Sequence, residues 1–498
     1  MLVDQATNDA LPSRAAIDRG TASLPPSLPL TGLGEEVVET HLLTELVPAF
    51  NGPKTSANYY GFVTGGVLPI AEFADHVVTA FDQNVSVHLP DQSISTVVED
   101  RALRALVTLL GLDDEAWQGR TFTTGATGAN VLGLACGREA VIQKHSASDE
   151  LGVGELGLLA ACMRAGIGEI QVLTAMGHSS LYKAASVVGL GRAAVKDIGS
   201  GPEQPWKIDI GLLQRELQRD RVASIVVISA GEVNTGRFST GGAEEMQQIR
   251  NLCDKYKAWL HVDGAFGLFA RCLPHTPEFA ALRESVSGLE LADSITGDGH
   301  KMLNVPYDCG FFLTRSSSVL FSVFQNPNAA YLSSGSSSVP SPLNIGLENS
   351  RRFRALPVYA VLMAYGRDGM AEIFTRQVRL ARGISQFLHD SPSYTLLAQQ
   401  QESSATAEEG INTSHLENTS KSVRFPNTHI IVLFRAEDDE INTDLVNRIN
   451  ATRRMYVSGT KWEGKPACRI AISTWKVDIV RDLKLVTGVL EQVLKGGS

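Results

Sequence analysis

The chain has 498 residues, more than one hydrophobic core usually organises, so two or three domains are expected, the largest able to bury a deep cleft. Its 43% hydrophobic and 20% charged residues are the balance of an ordinary globular protein and argue against a largely disordered chain. The formal net charge of −10 comes without a basic cluster, so neither nucleic acid nor a membrane surface is an expected partner.

Six cysteines (Cys136, Cys162, Cys253, Cys272, Cys309, Cys468) lie far apart with no C-x-x-C pair, which reads as reduced, mostly buried thiols rather than a zinc site or a disulfide framework. The N-terminus carries acidic residues where a signal peptide needs basic and apolar runs, and no later stretch is long enough to span a bilayer; a cytoplasmic address is expected. The sequons at Asn84, Asn412, Asn418 and Asn450 carry no weight without a secretion signal.

In chain order, the first thirty or so residues, with the proline-rich Ser23 to Pro29, read as a poorly packed arm or a dimer-embracing extension. From about Glu35 the apolar spacing of Val37, Val38, Leu42, Leu43 and Leu46 turns helical, and a second helical run spans Ile70 to about Val85. Residues 1–92 thus form an N-terminal arm and helical segment. Over 93–355, apolar runs such as IQVLTA, SIVVISA, WLHVDG and GFFLTR alternate with helical segments, the pattern of a large central α/β domain. Met246, Ile249, Leu252, Cys253 and Tyr256 form one stripe between two of those strands, as a βαβ crossover requires. HIIVLF, ACRIAIS and the amphipathic KVDIVRDLKLVTGVLEQVLK then suggest a smaller α+β domain over 356–498, with a polar loop at 398–422.

Four stretches share the capture of a phosphorylated aromatic aldehyde as a physical theme. The Thr123 to Ala129 turn runs into a helix beginning near Gly128, whose free N–H groups and dipole suit a phosphate, with Thr127 adding a hydroxyl; an ordinary helix cap is the alternative. His178 follows IQVLTA at a helix start, where an imidazole could stack on a planar ring or simply cap the helix. WLHVDGAFG ends a strand in Asp263, a carboxylate costly to bury unless paired, and a protonated pyridine nitrogen is such a partner. Reading His261 and Asp263 as metal ligands lacks a third converging ligand, so no metal is expected. Finally, Lys301 lies between two buried strands, where burial frees an amine to act as a Schiff-base nucleophile.

At these residues the chain resembles the group II pyridoxal-5′-phosphate (PLP) decarboxylases, which include aromatic L-amino acid, glutamate and histidine decarboxylases. The similarity runs from YYGFVTGG at Tyr59 through TTGATGAN, GHSSLYKAA, GEVNTGRF, HVDGAFG and DGHKMLNVPYDCG to CRIAIS. It implies a fold-type-I, aspartate aminotransferase-like architecture and a homodimer with sites at the subunit interface. By the same resemblance Lys301 carries the cofactor and Asp263 pairs with its ring nitrogen. Ala126, Thr127 and His300 would bind the phosphate, His178 would stack on the ring, Ala265 would pack against it, and Asn234 would lie nearby. Tyr59, Tyr60 and Phe62 fall where relatives line the substrate pocket, favouring an aromatic amino acid. The implied reaction is decarboxylation of an L-amino acid to its amine and CO2, with Lys301, His178 and Asp263 as the catalytic set.

One departure matters. Aromatic decarboxylases carry a mobile flap with a catalytic tyrosine, whereas YLSSGSSSVPSPLNIGLENSR, between Tyr331 and Arg351, has no tyrosine inside it. An aldehyde-forming oxidative decarboxylase or deaminase is therefore a second reading, and a catalytically silent member acting as a binding partner is a third. The G-x-x-x-x-G-K spacing from Gly459 to Lys465 is discounted as a nucleotide loop because Pro466 follows where Ser or Thr would hold Mg²⁺.

Overall fold

The computed structural model describes residues 9–146, 152–327, 339–399 and 423–495. Residues 400–422 of the expected polar loop and 331–338 of the tyrosine-free flap lie outside the described residues.

Thirteen strands occur among these residues: β1 (Gly119–Thr123), β2 (Glu169–Thr174), β3 (Val195–Asp197), β4 (Gly199–Ser200), β5 (Gln204–Ile208), β6 (Val222–Ser229), β7 (Trp259–Asp263), β8 (Ser294–Asp298), β9 (Gly310–Thr314), β10 (Tyr394–Leu396), β11 (Ile431–Ala436), β12 (Ser458–Trp462) and β13 (Lys465–Ala471). Seven of them form one sheet in the order β1-β9-β8-β7-β6-β2-β3. The run from β8 through β7, β6 and β2 to β3 is parallel, while β9 is antiparallel to both neighbours, β8 and β1. Every residue of β1, β7, β8 and β9 is buried, as in a sheet covered by helices on both faces. The expected α/β fold is therefore present, with β1 and β3 added to the strands legible in the sequence.

This topology places the site. Strands β1, β2, β6, β7 and β8 end on the same edge of the sheet, and the segments leaving them carry Ala126, His178, Glu232, Ala265 and Lys301 in turn. In an open parallel sheet the carboxyl ends of the strands leave a crevice, because each chain departs toward a covering helix. The helix Ala126–His145 runs back against the sheet. Between β6 and β7, the helix Ala243–Lys255 buries Met246, Ile249 and Cys253, the stripe expected of a crossover.

The second sheet, β10-β11-β13-β12, is antiparallel throughout. It packs with the helices Asp439–Ala451 and Ile479–Leu494 around Val432, Phe434, Leu445, Val486 and Leu490. The long helix Ala355–Asp390 joins the two units: Val358, Val361 and Met370 belong to the large core, whereas Leu380, Ile384 and Leu388 belong to the small one. Gly366, at φ 58° and ψ −166°, breaks its helical path in a region that residues with a Cβ avoid. The Gly459 to Lys465 stretch is the β12–β13 hairpin, with Trp462 opposite Lys465, and not a strand-to-helix phosphate loop.

The N-terminal region is more structured than the proline content suggests. Arg14–Ser23 is a helix whose Ser13 hydroxyl accepts the Ala16 N–H at 2.9 Å, and Gly20 sits close against the Glu45 carbonyl. The stretch after it, including the fully exposed Leu28 and Leu30, runs through bends without helix or strand up to Gly34. The six cysteines are free, and all but Cys162 are buried. No helix among the described residues is long and apolar enough to cross a membrane.

His429, just before β11, is fully buried against Phe266, stacked at 6.4 Å, and neither ring nitrogen has a hydrogen-bond partner among the described residues. Burial, with help from Arg382, lowers its pKa from 6.5 to about 3. Its folded value lies below its unfolded one, so its contribution to stability is full above the unfolded pKa and is lost as pH falls through this window. Urea unfolding between about pH 4 and pH 7 should show stability falling with acid by up to about 1.4 kcal/mol per pH unit from this group. His429→Leu should flatten that component of the slope.

Candidate active site

The crevice at the strand ends is a cavity of ≈ 390 Å³. Its lining includes the turn 124–128, His178, Asp263, Ala265, His300 and Lys301, segments far apart in sequence that the sheet brings to one edge. The structure thus gathers Ala126, Thr127, His178, Asp263, Ala265, His300 and Lys301 into one place, as the sequence led us to expect.

Asp263 closes β7 and is 9% exposed. Its Oδ2 accepts a hydrogen bond from Asn130 Nδ2 at 2.9 Å, its Oδ1 a weaker one from the Ala265 N–H at 3.4 Å, and it has no ion pair among the described residues. A buried carboxylate with only neutral donors invites a cation in front of it. Behind it, Asn130 Oδ1 accepts from His261 Nε2 at 3.0 Å, and His261 Nδ1 lies 2.7 Å from the Ser294 hydroxyl, which itself accepts the Trp259 indole N–H at 2.9 Å. Burial holds His261 well below its ordinary pKa, so the ring is neutral and this arrangement fixes Nε2 as the protonated nitrogen. His261 is therefore a support for Asp263 and not a metal ligand. No cluster of three or more potential metal ligands occurs among the described residues.

His178 does two jobs at once. Its Nδ1 accepts from the Ser180 backbone N–H at 3.2 Å and lies 2.7 Å from the Ser180 hydroxyl, which caps the helix Ser179–Val187 and points Nε2 away from the cap. Burial, more than any charge, lowers its pKa, with Lys301 adding to the effect and Asp263 and Glu232 opposing it. The capping and ring-facing readings of this residue are compatible.

Lys301 follows β8 with its ammonium 2.8 Å from Asp298 Oδ2. His300 accepts the Cys309 N–H at Nδ1, 3.2 Å away, and its ring lies 4.6 Å from that of Tyr307. Burial lowers the His300 pKa and raises that of Tyr307 to about 12. Across the cleft, Arg469 on β13 is 6% exposed and donates from Nε to the Val233 carbonyl at 2.6 Å and from Nη1 to the Gly61 carbonyl at 3.0 Å. Burial lowers its pKa to about 10, which leaves the guanidinium charged at neutral pH.

Three expected residues fall elsewhere. Tyr60 is fully buried in the small-domain core, its hydroxyl accepting from Asn58 at 2.8 Å, and Tyr59 is buried against Tyr456 with ring centroids 4.8 Å apart. Of the proposed aromatic wall only Phe62, 53% exposed, lines the cavity, joined by Val63, Met176 and Phe266. Asn234 is also outside the lining; its amide contacts the Glu232 carboxylate at 3.3 Å and accepts from Thr460 at 2.8 Å. Asn130, Glu232, Asp298 and Arg469 were not singled out from sequence, although Asn130 ends the TTGATGAN stretch and Arg469 lies in CRIAIS.

A family model described as the pyridoxal-dependent decarboxylase conserved domain matches residues 73–406, and the chain belongs to that family. Among curated relatives it is 27% identical to an L-2,4-diaminobutyrate decarboxylase of Acinetobacter baumannii over 57% of this chain and 54% of that protein. It is 24% identical to tryptophan decarboxylase 1 of Oryza sativa subsp. japonica over 88% and 80%. A 4-hydroxyphenylacetaldehyde synthase of Rhodiola rosea is 24% identical over 57% and 52%. The chain thus spans little more than half the length of several relatives it matches. The fold superposes on Oryza sativa TDC with PLP and tryptamine at a TM-score of 0.77 and 20% identity, covering 98% of this chain and 93% of that one. This is the fold-type-I architecture.

The cofactor of this family, pyridoxal phosphate, fits the cleft on the structure's own terms. Gly125, the residue before the helix, has no side chain of its own to cap it, and a Cβ there would lie 3.1 Å from the His300 ring, so the glycine leaves room beside the helix N-terminus. At the other end, Asp263 lacks the cation that a pyridinium would provide.

The chain of hydrogen bonds behind Asp263 makes a prediction. Asn130→Ala should lower the unfolding free energy by about 1–3 kcal/mol, because it strands two buried partners. Asn130→Asp should cost more, since it sets a second carboxylate against Asp263. Urea denaturation of both variants checks the order.

Proposed function

We propose that the protein decarboxylates an L-amino acid with pyridoxal phosphate held on Lys301, releasing CO2 and the amine. The observation that supports this reading is the convergence, at one sheet edge, of a helix N-terminus preceded by a glycine, a buried carboxylate without a counter-ion, and a lysine amine. When bound, the cofactor supplies a pyridinium ring that accepts the electron pair left by departing CO2.

The chain's residues supply the rest. Ala126, Thr127 and His300 would hold the phosphate, and His178 and Ala265 would hold the ring. Asp263 would keep a proton on the ring nitrogen, and the neutral His261, acting through Asn130, keeps Asp263 aimed. Lys301 would tether the cofactor.

Arg469 receives the substrate's α-carboxylate in this reading, and its Nη2 has no protein partner among the described residues. A charged, pre-positioned guanidinium loses little entropy on binding a carboxylate. Phe62, Val63, Met176 and Phe266 favour a large apolar or aromatic side chain. The aromatic preference now rests on these four rather than on Tyr59 and Tyr60. The exposed apolar residues of the N-terminal region, among them Leu33, Val37, Leu42 and Phe50, support a homodimer.

A second reading has its own support. No tyrosine lies between Leu332 and Arg351, and one relative is a 4-hydroxyphenylacetaldehyde synthase. In that outcome the amino acid, O2 and water give an aldehyde, CO2, ammonia and hydrogen peroxide. A screen of L-amino acids with amine, ammonia and peroxide read together separates the two, and silence in all three would favour a non-catalytic role.

Lys301→Ala should lose the visible absorption of lysine-bound cofactor and drop kcat by roughly 10³-fold or more, with the far-UV circular dichroism unchanged. Arg469→Gln should raise KM by roughly 10- to 100-fold with a smaller effect on kcat, because a charged hydrogen bond to the ground-state carboxylate is lost. A kcat loss with unchanged KM would remove Arg469 from carboxylate binding.

A further inference from the structure

The anion cradle already contains an anion. Asp298 ends β8, three residues before Lys301, and its side chain is 2% exposed. Its Oδ1 accepts the Ala126 N–H at 2.6 Å, its Oδ2 lies 2.8 Å from the Lys301 ammonium, and His300 Nε2 is 3.7 Å from Oδ1. Ala126 is the first residue of a 20-residue helix whose Gly125 cap offers no side chain. Asp298 therefore caps this helix from another strand, using the same N–H and dipole end that a phosphate needs. The Cβ position of Gly125, 3.4 Å from Asp298 Oδ1, marks how close the carboxylate lies to the mouth of the cradle.

We propose that Asp298 competes with the cofactor's phosphate for the Ala126 N–H and for the charge of Lys301, and so sets how loosely the cofactor is held. This rests on the assignment of the 124–128 turn to the phosphate. Without cofactor, Asp298 satisfies the helix end and neutralises Lys301, which makes a well-ordered empty site. With cofactor, two anions share one buried cradle, and the lysine that balanced the carboxylate is committed elsewhere. Like charges at short range in a buried site repel far more than they would in water. Asparagine at this position would keep an acceptor for Ala126 and present an amide N–H to the phosphate.

The test is the dissociation constant of pyridoxal phosphate, and of phosphate-free pyridoxal, for cofactor-stripped wild type, Asp298→Asn and Asp298→Ser, read by tryptophan fluorescence and equilibrium dialysis. Expected is at least about 10-fold tighter pyridoxal phosphate binding by Asp298→Asn, with pyridoxal affinity changed by less than about 2-fold. Asp298→Ser should shift in the same direction and serves if the asparagine variant does not fold. The cofactor-free variants should melt at lower temperature than wild type, because the Lys301 partner is gone. Equal or weaker pyridoxal phosphate binding by the variants overturns the proposal, as does an equal gain for pyridoxal, which would show that Asp298 does not act on the phosphate. Failure of wild type and both variants to bind pyridoxal phosphate at all would instead overturn the cofactor assignment beneath it.

Discussion

The side-chain amide of Asn130 is fully buried and contacts Asp263 and Ser180 through its nitrogen and His261 and Thr296 through its oxygen. Because an amide has distinct donor and acceptor ends, this one contact fixes several others. The donor end must face the Asp263 carboxylate, so the acceptor end must face a donor, and His261 is thereby held with its proton on Nε2. Through Ser180 the same amide reaches the hydroxyl against His178 Nδ1. The carboxylate at the end of β7 and the imidazole that follows β2, two strands away, are thus oriented by a group on the helix that packs against the sheet. Buried polar networks of this kind are stable only when every member is satisfied, and here the members come from four separate segments.

Much of the large domain was legible because its signals are local. The apolar runs of β2, β6, β7 and β9, and the helical stripe containing Met246, Ile249 and Cys253, follow from periodicities that a short window contains. Strand β1 was harder: Gly119–Thr123 has one large apolar residue, Phe122, and becomes a strand because β9 pairs along its full length. The helix Arg14–Ser23 has little apolar patterning, and its position depends on a close approach of Gly20 to the backbone at Glu45. Tertiary contacts decided both cases.

The site divides in the same way. Lys301, Asp263 and His178 sit at strand ends whose local sequence announces an expensive group in a buried place, so the residue type alone raises the question of a partner. Asn130 and Arg469 raise no such question, since their meaning comes from what faces them across the fold, whereas Asp298 ends β8 as Asp263 ends β7 and carries the same local signal. Tyr59 and Tyr60 failed in the opposite direction. Aromatic residues near a family's substrate pocket are equally good core fillers, and Tyr60 went into the small domain's core, with Phe62 left to line the cleft.

The small domain also contributes a residue to the cavity wall. Arg469 extends from β13, yet two of its hydrogen bonds go to Val233, after β6, and to Gly61, from the N-terminal region. A guanidinium this buried would be a liability without those carbonyls, which hold its direction as well as satisfy its donors. Asp298 and Arg469 both line the one cavity, the first from the end of β8 and the second from β13. The Asp298 charge is balanced by the Lys301 ammonium 2.8 Å away, whereas Arg469 has carbonyls and a hydroxyl as its partners, so the positive charge on the small-domain side is the one without a counter-charge among its hydrogen-bond partners.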